Sequence, residues 1–325
     1  MEIDQKTTKQ VLESCIGEYQ LVSKFDGNHL YSVYLGTTKK YHMNQNDKNA
    51  QFEVAIKLIP ANDFRDSFDN ECRIFALKPH KNIVRCIECL KDTVFKLNSN
   101  QEEKYNALVL EYYPNKDLFE YIIRSRLEEP VIRYYLEQML DGLEFLVTNG
   151  YSHRDVKLEN FLLDKDFNLV FTDFGHSCRY SDDNGPVIFK EVSAISTEEI
   201  MPPEFFREDG YRAKDLDVFA LGKVLLTMVT GSVPFTKADK TDRLYSLILN
   251  GNWHTYWRVI KKRLEAQKLK DLSPKFKKMI QGMLEPNPKL RYSLKHIRES
   301  LWYQETTPLT SEEVKKVMLQ LKQQF

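Results

Sequence analysis

The sequence predicts an α+β protein in two parts, a small sheet that carries one helix and then a larger, mainly helical part. Residues 21–112 read as short apolar runs separated by turns, with a single segment of helical spacing. From Leu118 onward, the apolar residues recur at helical periods instead. The chain has 325 residues, of which 42% are hydrophobic, so it can bury one large core or two smaller ones.

The single helix of the first part is predicted at about residues 63–77. Its apolar residues recur at helical spacing, and they are Phe64, Phe68, Ile74 and Phe75. Residues 39–51 are polar and rich in Asn, Lys and Gln, which is typical of an exposed loop between two strands.

Three helices stand out in the second part. One apolar stripe predicts a core-facing helix, and it consists of Tyr135, Leu136, Met139, Leu140, Leu143, Leu146 and Val147. The run from Val218 to Val229 is apolar nearly all round, so we expect a helix that is buried on every side. After Gln304, apolar residues again recur at helical spacing. This last helix could dock on the domain or bind a partner, and we favour docking because most apolar stripes are core.

The charge balance and the composition argue against several classes of protein. Lys and Arg together number 47, as do Asp and Glu, so no overall field attracts nucleic acid or anionic lipid. No apolar run approaches the roughly 18 residues that a membrane span needs, and the start lacks the apolar core of a signal peptide. We therefore expect a cytoplasmic protein, with the nucleus as an alternative, that has neither nucleic acid nor membrane as a partner.

The five cysteines are scattered along the chain. Only Cys86 and Cys89 have a CxxC spacing, and no second pair completes a zinc site. Sparse cysteine usage is typical of a reducing compartment, so we expect these residues to be structural and reduced.

Three motifs carry the chemistry, and they follow one another in a fixed order. They are VAIK at residues 54–57, HRDVKLEN at residues 153–160 and DFG at residues 173–175. Together they resemble the protein kinase family, whose VAIK, HRDxKxxN and DFG patterns are all intact here. The resemblance implies a two-lobed fold, in which a small antiparallel-sheet N-lobe carries one helix and the larger C-lobe is mainly helical.

The resemblance covers nearly the whole chain and implies a division into domains. We expect an N-terminal extension at 1–18, a kinase domain at 19–303 and a C-terminal helical tail at 304–325. Within the kinase domain, the N-lobe is expected at 19–112 and the C-lobe at 113–303.

Phosphoryl transfer depends on positioning and on neutralising phosphate charge, and the resemblance assigns residues to these tasks. Asp155 would accept or orient the proton of the substrate hydroxyl, and Lys157 would neutralise the γ-phosphate. Asn160 and Asp173 would hold Mg²⁺ through oxygen ligands, so that ATP and Mg²⁺ are the implied cofactors.

Lys57 lies in a strand-like run, where a lone lysine is usually an exposed edge residue. The resemblance instead implies that it reaches the α- and β-phosphates and pairs with a glutamate of the first helix. Glu71 occupies the matching position, although the neighbouring Asp69 is an alternative partner.

The resemblance also implies an adenine site at a hinge that runs from Glu111 to Tyr113, preceded by Leu110 as gatekeeper. The backbone of the hinge would hydrogen-bond the adenine edge. Apolar side chains would sandwich the ring, and they are Val33, Ala55 and Leu162. Asp117 could meet the ribose hydroxyls or could equally cap a helix, and both alternatives remain open.

The chain departs from the family pattern at the glycine-rich loop, which is expected as GxGxxGxV ahead of Val33. The implied nucleotide contacts here are Phe25, Asp26, Gly27 and Asn28. The three glycine places hold Asp26, Asn28 and Tyr31, while Gly27 is one step out of register. We expect weaker nucleotide binding or slower turnover, because Asp26 adds negative charge near phosphates and Tyr31 adds bulk.

Three further residues are implied to be structural. Glu204 in the run MPPE and Arg291 resemble the family's distant ion pair. Asp217 opens the apolar helix and would hold the catalytic loop through backbone hydrogen bonds.

The implied activity is that of an ATP-dependent protein serine/threonine kinase acting on protein substrates. Lys157 and Thr197, at the head of the implied substrate-docking loop, resemble serine/threonine rather than tyrosine kinases. Residues 231–235 and 300–303 look most like the calmodulin-dependent and AMP-activated kinase group. The degenerate glycine loop keeps a catalytically weak kinase-fold scaffold as the alternative, and a small-molecule kinase is disfavoured.

Arg154 can pair with a phosphate group in the implied activation segment, where Ser193 sits at the matching place. An upstream kinase acting on Ser193 is therefore a candidate partner, and an ordinary surface serine is the alternative. We expect the protein to be a monomer.

Overall fold

The structure, a computed structural model, describes residues 15–27, 31–38, 52–61, 65–95, 103–182, 185–189, 198–206 and 210–324. The described residues fall into two compact units. The smaller unit takes its residues from Met1–Pro79 and Val84–Tyr113, and the larger from His80–Ile83 and Pro114–Phe325. The predicted loop at 39–51 and most of the predicted N-terminal extension lie outside the described residues.

The smaller unit is an antiparallel sheet with one helix, α1 (Arg65–Phe75). Its six strands have the order β1-β2-β3-β4-β6-β5. They are β1 (Cys15–Ile16), β2 (Tyr19–Gly27), β3 (Ser32–Thr38), β4 (Phe52–Pro60), β5 (Cys86–Phe95) and β6 (Glu103–Glu111). The helix predicted at about residues 63–77 is thus present, and it ends two residues before the predicted end, which is ordinary for a boundary read from spacing.

The two faces of this sheet have different roles, and strand β4 shows the division. Val54, Ile56 and Leu58 are buried in an apolar cluster together with residues of the neighbouring strands. Because successive side chains of a strand point to opposite faces, Ala55 and Lys57 lie on the other face. The sheet therefore presents Lys57 away from its own apolar cluster.

The larger unit consists mainly of helices and short strand pairs. Its helices are α2 (Phe119–Ile122), α3 (Glu129–Thr148), α4 (Ala213–Thr230), α5 (Arg243–Leu249), α6 (Trp253–Ala266), α7 (Pro274–Met283), α8 (Leu294–Arg298), α9 (Leu301–Glu305) and α10 (Ser311–Lys322). Its strands are β7 (Tyr151–Ser152), β8 (Phe161–Leu163), β9 (Leu169–Phe171), β10 (Cys178–Arg179), β11 (Ser181–Asp182) and β12 (Gly185–Pro186). Strand β7 pairs with β10, β8 with β9 and β11 with β12.

Helices α3 and α4 form the core of the larger unit. The apolar stripe predicted for α3 is buried from Tyr135 to Leu146. Helix α4 is buried along almost all of its length, as its apolar sequence predicts, and it ends at Gly231 in the left-handed conformation at φ 68°.

The C-terminal helix α10 docks on the larger unit, which is the alternative that the sequence favoured. Thr310 and Glu313 form a capping box at its start, and Val314 and Met318 are buried. Two lysines of the helix bond side chains of the same unit, Lys315 to Asp166 at 2.7 Å and Lys322 to Asn115 at 2.6 Å. Within the described ranges, no helix combines the length and the apolar character that crossing a bilayer requires.

Candidate active site

Lys57 of the smaller unit forms a buried ion pair with Glu71 of α1. The Lys57 Nζ lies 2.7 Å from Glu71 Oε1, and the two side chains are 7% and 1% exposed. The alternative partner, Asp69, accepts a hydrogen bond from Lys91 at 2.7 Å. The pairing that the resemblance implied, Lys57 with Glu71, is therefore the one present in the structure.

Tyr31, at the last of the three glycine places, contacts the ammonium group of Lys57. The Lys57 Nζ lies 4.2 Å from the centre of the Tyr31 ring, which is the geometry of a cation–π interaction. The sequence predicted bulk at this place but not the contact. The ring of Tyr31 therefore competes with any phosphate for the same cation.

Gly27 occupies a position that requires glycine, although it is one step out of the family register. Its φ is 153°, and a Cβ atom there would lie 2.9 Å from the backbone oxygen of Tyr31. Phe25, in the same strand, packs its ring against Tyr112 with 6.3 Å between the ring centres. Asn28 and the side chain of Asp26 lie outside the described part, so their implied contacts stay predictions.

We expect Tyr31→Gly to lower the KM for ATP by about two- to fivefold, because a cation–π contact of moderate strength would no longer compete with the phosphates for Lys57. Initial rates measured over a range of ATP concentrations test this. Tyr31→Phe is the matched control, because it keeps the ring and should leave the KM near the wild-type value. A rise in KM for Tyr31→Gly would contradict the competition and indicate that the ring assists nucleotide binding.

The implied adenine residues of the smaller unit share the face that carries Lys57. Val33 stands opposite Lys57 in the pairing of β3 with β4, and Leu110 stands opposite Ala55 in the pairing of β4 with β6. Facing residues of neighbouring strands project to the same side of a sheet, so these apolar side chains lie on the same face as Lys57.

The hinge residues follow at the end of β6. The backbone N–H of Glu111 donates to Arg85 O at 2.9 Å. The hydroxyl of Tyr113 lies 3.5 Å from the amide nitrogen of Arg85. Tyr113 belongs to the smaller unit, one residue beyond the expected N-lobe boundary. The adenine contacts of these residues stay predictions.

Asp155, in the larger unit, has one carboxylate oxygen that accepts hydrogen bonds and one that has no described partner. Oδ2 accepts hydrogen bonds from Lys157 Nζ and Asn160 Nδ2, both at 2.8 Å. Oδ1 is buried and has no hydrogen-bond partner among the described residues. An unpartnered buried carboxylate oxygen is unfavourable unless a ligand supplies its donor, so this atom is placed to accept a proton or a hydroxyl hydrogen bond.

Asn160 and Asp173 supply oxygen atoms that fit a magnesium ion. The amide nitrogen of Asn160 is used by Asp155, through its backbone oxygen and Oδ2, which leaves the amide oxygen available. Asp173 has a φ of 58°, in the left-handed region, which Asp and Asn adopt more readily than most other residues. Amide and carboxylate oxygens are ligands that Mg²⁺ prefers, with phosphate oxygens and waters completing the octahedron.

Asp217, at the start of α4, holds the loop that carries Asp155. Its carboxylate accepts from Ser152 Oγ at 2.8 Å, His153 N at 2.9 Å and Arg154 N at 2.8 Å. Burial raises the pKa of Asp217, and the hydrogen bonds and His153 act against that rise. This is the structural role that the resemblance implied.

His153 supports the same loop from within the core. Its Nδ1 accepts from Asp155 N at 3.2 Å, so Nε2 carries the proton and donates to Thr172 O at 3.2 Å. Burial lowers the pKa of His153, which favours the neutral ring that this arrangement needs.

Arg154 is buried and its guanidinium group is engaged. Its Nε donates to His176 O at 2.7 Å and its Nη1 to Tyr211 Oη at 3.4 Å. Its φ of 62° is also left-handed. Ser193 and Thr197 lie outside the described residues, so the implied pairing of Arg154 with a phosphate stays a prediction.

Asp117 caps a helix, which is one of the two alternatives that the sequence left open. Its Oδ1 accepts from Glu120 N at 3.0 Å at the start of α2. The backbone of Asp117 also forms an isolated antiparallel β-bridge with Leu162, the implied adenine contact of the larger unit. Burial raises the pKa of Asp117 to about 6. Its implied contact with ribose stays a prediction.

We expect Asp117→Asn to stabilise the protein at pH 8 and to have little effect at pH 4. A carboxyl group whose pKa rises on folding contributes stability below its unfolded pKa, and that contribution is lost as the pH rises through about 6. Asn caps as well as Asp and carries no charge, so the gain at pH 8 is on the order of 1 kcal/mol, because solvent screens this partly exposed group. Urea unfolding at both pH values measures it, and an equal effect at both would contradict the raised pKa.

Lys223 is a buried residue that the sequence reasoning missed. Its ammonium group donates to the backbone oxygen of Glu199 and lies 4.4 Å from the centre of the Phe235 ring. Burial lowers its pKa to about 8. The sequence did contain a signal for this residue, namely a single lysine within a run that predicts a helix buried on every side. Through this bond, Lys223 anchors the segment Glu198–Ile200, which directly follows Thr197, the implied substrate-docking residue.

Glu204 and Arg291 form the distant ion pair that the resemblance implied. Arg291 Nη1 lies 2.5 Å from Glu204 Oε1 and Nη2 lies 2.8 Å from Oε2, so the pair is bidentate. Both side chains are buried, and the guanidinium group also donates to the backbone oxygens of Glu285 and Asp215.

Comparison with known proteins identifies relatives for most of the chain. The maternal embryonic leucine zipper kinase of Danio rerio is 29% identical over 77% of this chain and 34% of its own length. CBL-interacting protein kinase 8 of Oryza sativa is 29% identical over 86% of this chain and 58% of its own length. The probable serine/threonine-protein kinase MARK-B of Dictyostelium discoideum is 31% identical over 85% of this chain and 36% of its own length.

The chain therefore spans about a third to just over half of the length of these relatives. The family model described as the protein kinase domain matches residues 36–303, which include all three motifs and both partners of the distant ion pair. On this match, with its antiparallel-sheet N-lobe and helical C-lobe, the chain belongs to the protein kinase family.

Proposed function

We propose that this protein is an ATP-dependent serine/threonine kinase that transfers the γ-phosphate of Mg-ATP to a hydroxyl group of a protein substrate. The observation that carries the proposal is the environment of Asp155. One carboxylate oxygen is fixed by Lys157 and Asn160, and the other is buried with no described partner. A substrate hydroxyl group is the donor that would satisfy it.

The transfer forms a bond between the substrate hydroxyl oxygen and the γ-phosphorus and breaks the bond from that phosphorus to the β-γ bridging oxygen, releasing ADP. Asp155 accepts or orients the hydroxyl proton. Lys157 and Lys57 place positive charge at the phosphates, and Glu71 holds the Lys57 ammonium in position. Asn160 and Asp173 would hold Mg²⁺, which would neutralise phosphate charge that the lysines do not.

Protein substrates rather than small molecules are supported by the match to the protein kinase domain and by two relatives that are named protein kinases. The position of Lys157, two residues after Asp155 and ion-paired with it, supports serine and threonine as acceptors. MARK-B is named a serine/threonine-protein kinase, in agreement with this acceptor class.

A radiolabelled ATP assay tests the proposal. The full chain is incubated with Mg²⁺, γ-labelled ATP and three panels of acceptors: serine/threonine peptides, tyrosine peptides and hydroxyl-bearing metabolites. Label on the first panel alone, found as phosphoserine or phosphothreonine, is the expected result. Label on tyrosine or metabolites alone would overturn the substrate class, and no label on any panel would overturn the activity.

For regulation, we propose that phosphorylation of Ser193 by an upstream kinase raises the activity. Ser193→Ala should then show a clearly lower rate than the wild type after equal treatment with an activating kinase, because Arg154 would lack its phosphate partner. Phosphopeptide mapping verifies that Ser193 is the modified residue in the wild type. Equal rates for the two proteins after that treatment would rule the mechanism out.

A further inference from the structure

Three of the cysteines come together in the smaller unit. Cys72 lies on α1, directly after Glu71, while Cys86 and Cys89 lie on β5. The sulfur atoms of Cys86 and Cys89 are 3.6 Å apart, and Cys72 adjoins Cys89. All three are free thiols, Cys89 is exposed, and the other two are partly exposed. Solvent therefore reaches a cluster that the sequence showed only as a CxxC spacing.

A β-bulge explains why both cysteines of β5 point to the same side. Cys86 pairs with Leu110 and Cys89 with Leu108, with the register shift between Cys86 and Glu88. The partners are two residues apart on β6, so the two Cα atoms are separated by about 6.6 Å along the strand. Disulfides join Cα atoms at about 4.4–6.8 Å, so this spacing can be bridged if the sulfur atoms approach each other.

Cys89 has the surroundings of the reactive thiol. Cys89 is the exposed member of the close pair, and the contacts of its sulfur with Cys86 and Cys72 hold its pKa below the ordinary value, with the positive charge of Lys91 acting in the same direction. The contact with Cys89 and burial raise the pKa of the Cys86 thiol, which favours its protonated form. A thiolate beside a protonated thiol is the arrangement in which peroxide attack is followed by disulfide closure.

We propose that Cys86 and Cys89 form an oxidisable dithiol, in which Cys89 reacts first with hydrogen peroxide and Cys86 then closes an intrastrand disulfide. Cys72 is the supporting thiol, which adjoins Cys89 from α1 but does not enter the disulfide. Metal binding by the cluster is not favoured, because no group of three or more His, Cys, Asp or Glu in the described part of the chain is arranged to hold a metal ion.

The two steps balance with hydrogen peroxide as the oxidant. The Cys89 thiolate attacks one peroxide oxygen, so a sulfur–oxygen bond forms, the oxygen–oxygen bond breaks and hydroxide leaves, leaving a sulfenic acid. The Cys86 sulfur then attacks the Cys89 sulfur, forming the disulfide and expelling the oxygen as water with the Cys86 proton. The hydroxide takes up the proton that Cys89 released on ionising, so two thiols lose two electrons and one peroxide becomes two waters.

Differential alkylation of the full chain tests the proposal. Folded protein is treated with hydrogen peroxide, free thiols are blocked with N-ethylmaleimide, and disulfides are then reduced and labelled with iodoacetamide before peptide mass spectrometry. Cys86 and Cys89 should gain the second label together, and adding dithiothreitol before the first block should prevent this. Cys15, an exposed thiol outside the cluster, is the internal reference and should keep the first label.

Variants identify the role of each sulfur. Cys89→Ser should abolish the second label on Cys86, and Cys86→Ser should leave Cys89 as a sulfenic acid that dimedone traps. Cys72→Ser should still form the disulfide, with slower oxidation of Cys89. A disulfide between Cys72 and Cys89, equal oxidation of Cys15, or first labels retained at both Cys86 and Cys89 of the wild type would each overturn the proposal. The wild-type readout needs no variant to fold.

Discussion

Asp155→Asn is expected to lower the kcat for peptide phosphorylation by about 10²–10⁴-fold, the range of general acid–base catalysis. The amide oxygen can take over the bonds of Oδ2 to Lys157 and Asn160. The amide nitrogen then stands in place of Oδ1, the buried oxygen without a described partner, and it cannot accept a proton. The fold should therefore persist while the proton acceptor is lost.

Steady-state rates of the wild type and the variant, at saturating ATP and peptide, measure this effect. Asp66→Asn is the matched control, because it makes the same chemical change at an exposed residue of α1 and should leave kcat unchanged. A variant rate within tenfold of the wild type would contradict the role of Asp155. If the wild type itself showed no transfer above the variant, the scaffold alternative would replace the proposed kinase activity.

Arg291→Met is expected to lower the free energy of unfolding by about 3–5 kcal/mol, the loss found when one partner of a buried ion pair is removed. The Arg291 and Glu204 side chains are 1% and 4% exposed, so the remaining carboxylate would be buried without its cation. The backbone oxygens of Glu285 and Asp215 would lose their donors as well. Met keeps much of the apolar stem, so the loss reports the charge and the hydrogen bonds.

Urea unfolding followed by circular dichroism gives the two free energies. The double variant Glu204→Gln with Arg291→Met is the informative comparison, because it leaves no buried charge and should recover part of the lost stability. A loss below about 1 kcal/mol for Arg291→Met would contradict the view that this pair is a buried structural element, since exposed pairs contribute that little.

Much of the fold could be predicted from apolar periodicity alone. Helix α4 is apolar nearly all round and α3 carries a continuous stripe, and both are buried as these patterns require. Helix α10 has a capping-box start and an apolar stripe, and it docks as expected. Such patterns act locally, within a few turns, so they can be read without knowing what lies opposite.

The contacts that the sequence did not reveal join residues through tertiary packing. Tyr31 reaches Lys57 across neighbouring strands, and Cys72 reaches Cys89 from the helix to the sheet. No spacing rule connects such pairs, because a bulge or a turn decides which side chains face each other. The residues of the motifs could be named only because a family resemblance supplied their roles, and those roles still await the kinetic tests.

The docking of α10 sets a practical limit on shortened versions of this chain. The family match ends at residue 303, yet Val314 and Met318 are buried and two lysines beyond that point bond the larger unit. A recombinant fragment that ended at residue 303 would expose to water the apolar surface that α10 covers. It would also leave the carboxylate of Asp166 without its lysine partner. Expression boundaries for this kinase therefore belong after Lys322, not at the end of the family signature.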